Sequence, residues 1–184
     1  MHRLVGAGAA MLAALAVTGV LAAGASAAPT GGRIALYADA GDAGSQKIVF
    51  VGAIGDYGTA RNVDKNGKVD DNGNFVRVKL TKGAFEIDAT AVNEAMKSGR
   101  PQVESKATCS ATFSGTATVK FLHGTGFYKG ISGTATVTVS YGGVGSRYKS
   151  GPKKGQCRDG DSNRRAEFGF VTGHGAVSFA RTNN

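Results

Sequence analysis

The strongest constraint in this chain is a period of two. From Cys109 to Phe121 the odd positions are Cys109, Ala111, Phe113, Gly115, Ala117, Val119 and Phe121, and the even ones are Ser110, Thr112, Ser114, Thr116, Thr118 and Lys120. The pattern returns from Ile131 to Tyr141, where Ile131, Gly133, Ala135, Val137, Val139 and Tyr141 alternate with serines and threonines. Side chains of a strand point alternately to its two faces, so each run presents one face to a core and the other to water. Neither run suits an amphipathic helix, whose apolar positions recur every three to four residues. Both are expected to be antiparallel strands.

Shorter runs extend the same reading. Ile34–Ala38, Ile48–Ile54 and Tyr57–Val63 are β-prone and separated by glycine and aspartate. Val76, Val78 and Leu80, then Phe85, Ile87 and Ala89, alternate with polar residues across a Lys82-Gly83 turn. Asn66-Gly67 and Asn72-Gly73 are expected to be hairpin turns with positive φ. Ala91–Lys97 is the one helical stretch, stopped by Gly99 and Pro101. Near the C-terminus Phe168 and Phe170 occupy even positions but Val177 and Phe179 odd ones, which predicts a bulge around Gly173-His174-Gly175. With 29 glycines, three prolines and no tryptophan, the composition suits a turn-rich β protein. So many strands with almost no helix must hide their edges. The expected architecture is all-β: a small closed antiparallel barrel of about eight strands, with a β-sandwich as the alternative.

Met1–Ala27 has the layout of a Sec-type signal peptide: His2 and Arg3, an apolar run from Leu4 to Ala23, and small residues ending Ala25-Ser26-Ala27. Cleavage there leaves 28–184 as a single secreted domain. No other stretch is long and apolar enough to span a membrane as a helix. In an exported chain the two cysteines, Cys109 and Cys157, are expected to form a disulfide. Closing a loop of about 50 residues is worth roughly 4 kcal/mol in the chain-entropy account. No C-x-x-C motif points to redox chemistry.

The run Gly124-Thr125-Gly126-Phe127-Tyr128-Lys129-Gly130-Ile131-Ser132-Gly133-Thr134 is similar to a motif of the allene oxide cyclase and dirigent barrels. With Ser150–Cys157 and the Thr172–Phe179 segment, the chain from Thr108 to Phe179 resembles small secreted bacterial proteins of unassigned function. The resemblance implies a calycin-like eight-stranded barrel and no particular activity. The charged catalytic residues of the two plant families find no match in this sequence.

Chemistry-bearing residues are few. The mature chain holds only His123 and His174, at no metal-binding spacing, so no metal or other cofactor is expected. By alternation His123 follows Phe121 onto the inward face at a barrel mouth, and Phe113, Phe121, His123 and Tyr141 are the candidate cavity residues. Glu86 and Asp88 read as solvated residues of a polar strand face. Calcium loops fail at Asp64–Lys68, where Lys68 fills a ligand position, and at Asp159–Phe170, where Arg164 replaces the required glycine. The formal charge is +9, and much of it lies in Arg147, Lys149, Lys153, Lys154, Arg158, Arg164 and Arg165, opposed there only by Asp159 and Asp161. Such a patch suits an anionic cell-surface polymer. Nucleic acid is disfavoured, because Tyr148 is its only aromatic side chain. The expected function is a non-catalytic secreted binding protein, holding a small apolar ligand in the barrel, presenting a basic loop, or both. The alternative is a cofactor-free cyclase or dirigent-like protein that steers a reactive intermediate by shape, with His123 as the polar group.

Overall fold

The computed structural model describes residues 31–40, 44–99, 101–158 and 163–179. The expected signal peptide, Met1–Ala27, lies outside them. Among the described residues nine strands follow one another: β1 Gly31–Asp39, β2 Gln46–Gly52, β3 Asp56–Val63, β4 Phe75–Leu80, β5 Gly83–Asp88, β6 Val103–Ser105, β7 Ser110–Leu122, β8 Ser132–Gly145 and β9 Arg164–Ser178. One helix, α1, covers Thr90–Ser98, and a 3-10 turn covers Gly126–Tyr128.

Strands β1 to β5 pair in sequence, as do β7 to β9; β9 pairs with β1 and β5 with β7, all antiparallel. The result is a closed eight-stranded up-and-down barrel, with β6 outside the ring on the edge of β7. The sandwich alternative is excluded by this closure. The β5–β7 seam is short, joining Glu86–Asp88 to Lys120–Leu122. Beyond it α1 fills the gap, burying Val92 in the core and laying Met96 over Gly115. A Cβ on Gly115 would stand 2.9 Å from both the Met96 amide nitrogen and its sulfur, so only glycine admits the helix this close.

Alternating positions fill the interior, as the sequence pattern predicts. Ile34, Leu36, Phe50, Val78, Phe85, Ile87, Val119, Phe121 and Val137 are all buried. Phe50, Phe85 and Phe121 meet at centroid distances of 5.5, 6.3 and 5.6 Å, and Tyr128 packs on Phe85 at 5.4 Å. An eight-stranded barrel is just wide enough for side chains to fill it, and here they do.

Two local expectations are corrected. β9 runs without a bulge at Gly173–Gly175, and its register with β1 and β8 is continuous there; the irregularity in this pairing lies at Val144/Gly145. Phe168 and Phe170 point outward, because the inward positions of β9 include Gly169, Gly173 and Gly175, each pressed against its neighbours. A Cβ on Gly169 would lie 2.6 Å from the Tyr141 ring, and one on Gly173 would lie 2.9 Å from Val137. Of the two expected glycine turns, Gly67 has φ of 77°, whereas Gly73 keeps negative φ and is required by its approach to the Val63 carbonyl.

Candidate functional site

Strands β7, β8 and β9 hold 13, 14 and 15 residues, against six each in β4 and β5. At ~3.3 Å per residue they overhang the short side of the barrel by roughly 20 Å. The inward faces of this overhang form the back wall of a cavity of about 960 Å³, open to solvent at the end of the barrel. That volume falls within the ~300–1,000 Å³ of small-molecule sites.

The cavity has an apolar floor and a charged rim. Met96, Phe113 and Tyr141 line it next to the core, and Ala111, Gly143 and Gly145 line the wall. Around them stand Lys106, Arg147, Arg158 and Arg164 with Glu104 and Glu167, so cations outnumber acids. Arg164 is ion-paired with Glu167. Among the described residues neither Lys106 nor Arg158 has a carboxylate partner. The Arg158 guanidinium lies 5.4 Å from the centroid of the Tyr148 ring, which holds it in place without neutralising it.

The opposite wall is the loop 146–158, and it is built to stay there. Cys157 is joined to Cys109 with Cα atoms 5.4 Å apart, as the cysteine count predicts. Arg147 ties the same two segments together. Its Nη1 donates to the Gly155 carbonyl at 2.5 Å, and its Nη2 donates to the carbonyls of Ala107 at 2.6 Å and Lys106 at 3.2 Å. An isolated bridge between Arg147 and Cys157 completes the clamp. A disulfide fits an extracellular protein. Among the described residues no helix is long and apolar enough to cross a membrane.

The residues singled out from the sequence divide into three groups. Phe113 and Tyr141, Arg147, Arg158 and Arg164, and both cysteines line this one cavity. Lys149, Lys153, Lys154 and Arg165 are exposed outside it, with the Lys153 ammonium 5.8 Å from the Tyr148 ring centroid. Phe121 belongs to the filled core, and His123 is elsewhere. Met96, Glu104, Lys106 and Glu167 were not legible as site residues, because nothing in their local sequence marks them. The calcium-like Asp159 and Asp161 lie outside the described residues.

His123 does not face the barrel interior. Its φ of 55° breaks the alternation at the end of β7 and turns the ring to the outer surface, where 71% of the side chain is exposed. Its Nδ1 lies 2.9 Å from Glu86 Oε2, and Arg77 Nη2 donates to Glu86 Oε1 at 2.8 Å. Glu86 is thus 14% exposed and paired rather than solvated. Burial opposes its ionisation, but the His123 and Arg77 contacts prevail and hold its pKa below the ordinary carboxylate value.

A second polar cluster closes the other end of the barrel. Asp56, 6% exposed, accepts four hydrogen bonds: from Thr81 Oγ1 at 2.5 Å, Tyr128 Oη at 2.5 Å, and the amides of Tyr57 at 2.8 Å and Lys82 at 3.1 Å. Burial raises the Asp56 pKa, yet these donors outweigh it and hold the carboxyl at about 2. Burial first, then the Asp56 hydrogen bond and charge, push the Tyr128 hydroxyl well above its ordinary value. With both carboxylate oxygens donated to, this cluster is a fastening. Among the described residues no group of three metal-ligating side chains is assembled.

No family model matches the chain, and no curated protein or solved structure is significantly similar to it.

Proposed function

We propose that this protein is a secreted, non-catalytic binding protein whose end cavity takes a small amphipathic anion, an apolar body carrying a sulfonate, phosphate or carboxylate head. One observation carries the reading. Phe113 and Tyr141, from the apolar alternation, and Arg147, Arg158 and Arg164, from the basic segment, share one cavity of suitable size. An apolar body covers Met96, Phe113 and Tyr141, and the anionic head meets Arg158 and Lys106 at the rim. The barrel centre is not the binding place, since Phe50, Phe85, Phe121 and Tyr128 fill it. The clamped wall keeps the ordering cost of binding low. The signal-like N-terminus and the disulfide support an extracellular setting.

Two fluorescent probes with the same aromatic body test this reading. Anilinonaphthalene sulfonate carries the anion and N-phenylnaphthylamine lacks it. The sulfonate is expected to saturate one site, to bind roughly tenfold tighter than the neutral probe, and to lose that advantage in Arg158→Gln with Lys106→Gln. Phe113→Ala should weaken both probes. Equal binding of the two, or sulfonate binding indifferent to Phe113, would remove the proposal.

A further inference from the structure

We infer that the Cys109–Cys157 bond is a thiol-exchange site, at which small anionic thiols release the cavity wall. Both cysteines line the cavity and neither belongs to the filled core, so a solute entering the cavity meets the bond. Three observations set this disulfide apart from a buried staple. Cys109 has φ of 53°, one of two positive values at non-glycine positions among the described residues, and the Gly145 amide donates to its carbonyl at 2.6 Å. Left-handed backbone is costly for a residue with a Cβ, and strained or exposed disulfides are the ones that exchange. The bond also stands among cations: Lys106 lies three residues before Cys109, Arg158 follows Cys157, and both line the same cavity. Arg147, finally, is beside the Cys157 sulfur. Its Nη2 and that sulfur both touch the Lys106 carbonyl oxygen, at 3.2 and 3.3 Å, and the backbone bridge between Arg147 and Cys157 keeps them together.

These positions give each sulfur a role. A thiolate attacks the Cys109 sulfur, the S–S bond breaks, and its electron pair goes to Cys157, whose thiolate forms beside the Arg147 guanidinium. A neighbouring cation favours a thiolate over a thiol, and a better-stabilised thiolate leaves faster. The product is a mixed disulfide on Cys109. A second thiolate then attacks the small thiol's own sulfur in that mixed disulfide, which forms the small symmetrical disulfide and frees the Cys109 thiolate. The small thiol is the only reductant required. A further negative group on it, a carboxylate or sulfonate, meets Lys106 and Arg158, which have no carboxylate partner among the described residues. A cationic thiol is repelled by the same side chains. Selectivity here comes from the cavity's charge and not from the amphipathic ligand proposed above.

Exchange kinetics on the folded protein test the inference, with mercaptoethanesulfonate, mercaptoethanol and cysteamine as the thiols and mass spectrometry as the readout. Each rate is divided by the same reagent's rate with hydroxyethyl disulfide, which removes differences in intrinsic reactivity. The normalised rate should be roughly tenfold higher for the sulfonate than for the neutral thiol, and lower again for cysteamine. This spread should collapse in high salt and in Lys106→Gln with Arg158→Gln. Rapid alkylation of the first product should find the sulfonate thiol on Cys109 and the alkyl label on Cys157. Equal normalised rates overturn the inference, as does a first adduct on Cys157. So do rates that level off at one value for all three thiols, since the bond then opens only when the chain unfolds. Mass rather than probe fluorescence is read, so failure of the proposed ligand and failure of this inference are separate results.

Discussion

Replacing Tyr128 with phenylalanine removes one atom from the closed end of the barrel and tests what holds that end together. The hydroxyl lost is one of two donors to Asp56 Oδ2, leaving only the Lys82 amide at 3.1 Å. Asp56 titrates at about 2 instead of 3.8, which corresponds to about 2 kcal/mol of folding free energy. The sign follows from proton uptake. The unfolded chain binds the proton first as pH falls, so this stability is complete at neutral pH and is lost as the pH drops from about 4 to about 2. A hydrogen bond to a charged group is worth roughly 1.5–3 kcal/mol, so Tyr128→Phe should cost about that at neutral pH. It should also move the onset of acid destabilisation upward, because Asp56 becomes easier to protonate. Asp56→Asn should flatten this part of the acid profile, and combining the two changes should cost about 1 kcal/mol less than their sum. Urea unfolding followed by circular dichroism, at pH 7 and at steps down to pH 2.5, reads all three. A Tyr128→Phe protein within about 0.5 kcal/mol of the parent, with an unshifted acid profile, would refute the reasoning.

Other expectations concern the core and the cavity wall. Phe121→Ala should cost about 3–5 kcal/mol in urea unfolding because it opens a void in the aromatic cluster, whereas Phe113→Ala at the cavity should cost under about 1 kcal/mol and weaken probe binding. Gly115→Val should destabilise by about 1–3 kcal/mol by pushing Met96 and α1 off β7, and should raise proteolysis within Thr90–Ser98. Cys109→Ser with Cys157→Ser should lower stability by up to roughly 4 kcal/mol and abolish probe binding; retained affinity would show that Arg147 alone holds the wall.

The strand alternation of the sequence translates directly into the barrel, because burial on one face is a local property of each strand. What alternation leaves undetermined is depth along the barrel. Phe113 and Phe121 share a face and a strand, yet one sits at the cavity and the other in the core. The difference depends on how far β7 overhangs β5, which only pairing reveals. The inward glycines of β9 made its two outward phenylalanines look like a change of phase. His123 escaped the pattern for a related reason, as a positive φ ends the alternation one residue after the strand. The basic segment was legible as charge, but its division between cavity rim and open loop was not. That division is set by the disulfide and by three backbone carbonyls gathered around Arg147.

The most direct test of the central claim is amide chemical-shift mapping of the intact protein titrated with anilinonaphthalene sulfonate. The account predicts saturable shifts confined to the cavity: residues 104–113, 141–147, 155–158 and 164–167, with Met96. Amides around Phe50, Phe85 and Phe121 should stay still, since that end of the barrel is full. Shifts centred on those core phenylalanines, or none in the cavity at probe saturation, would contradict it.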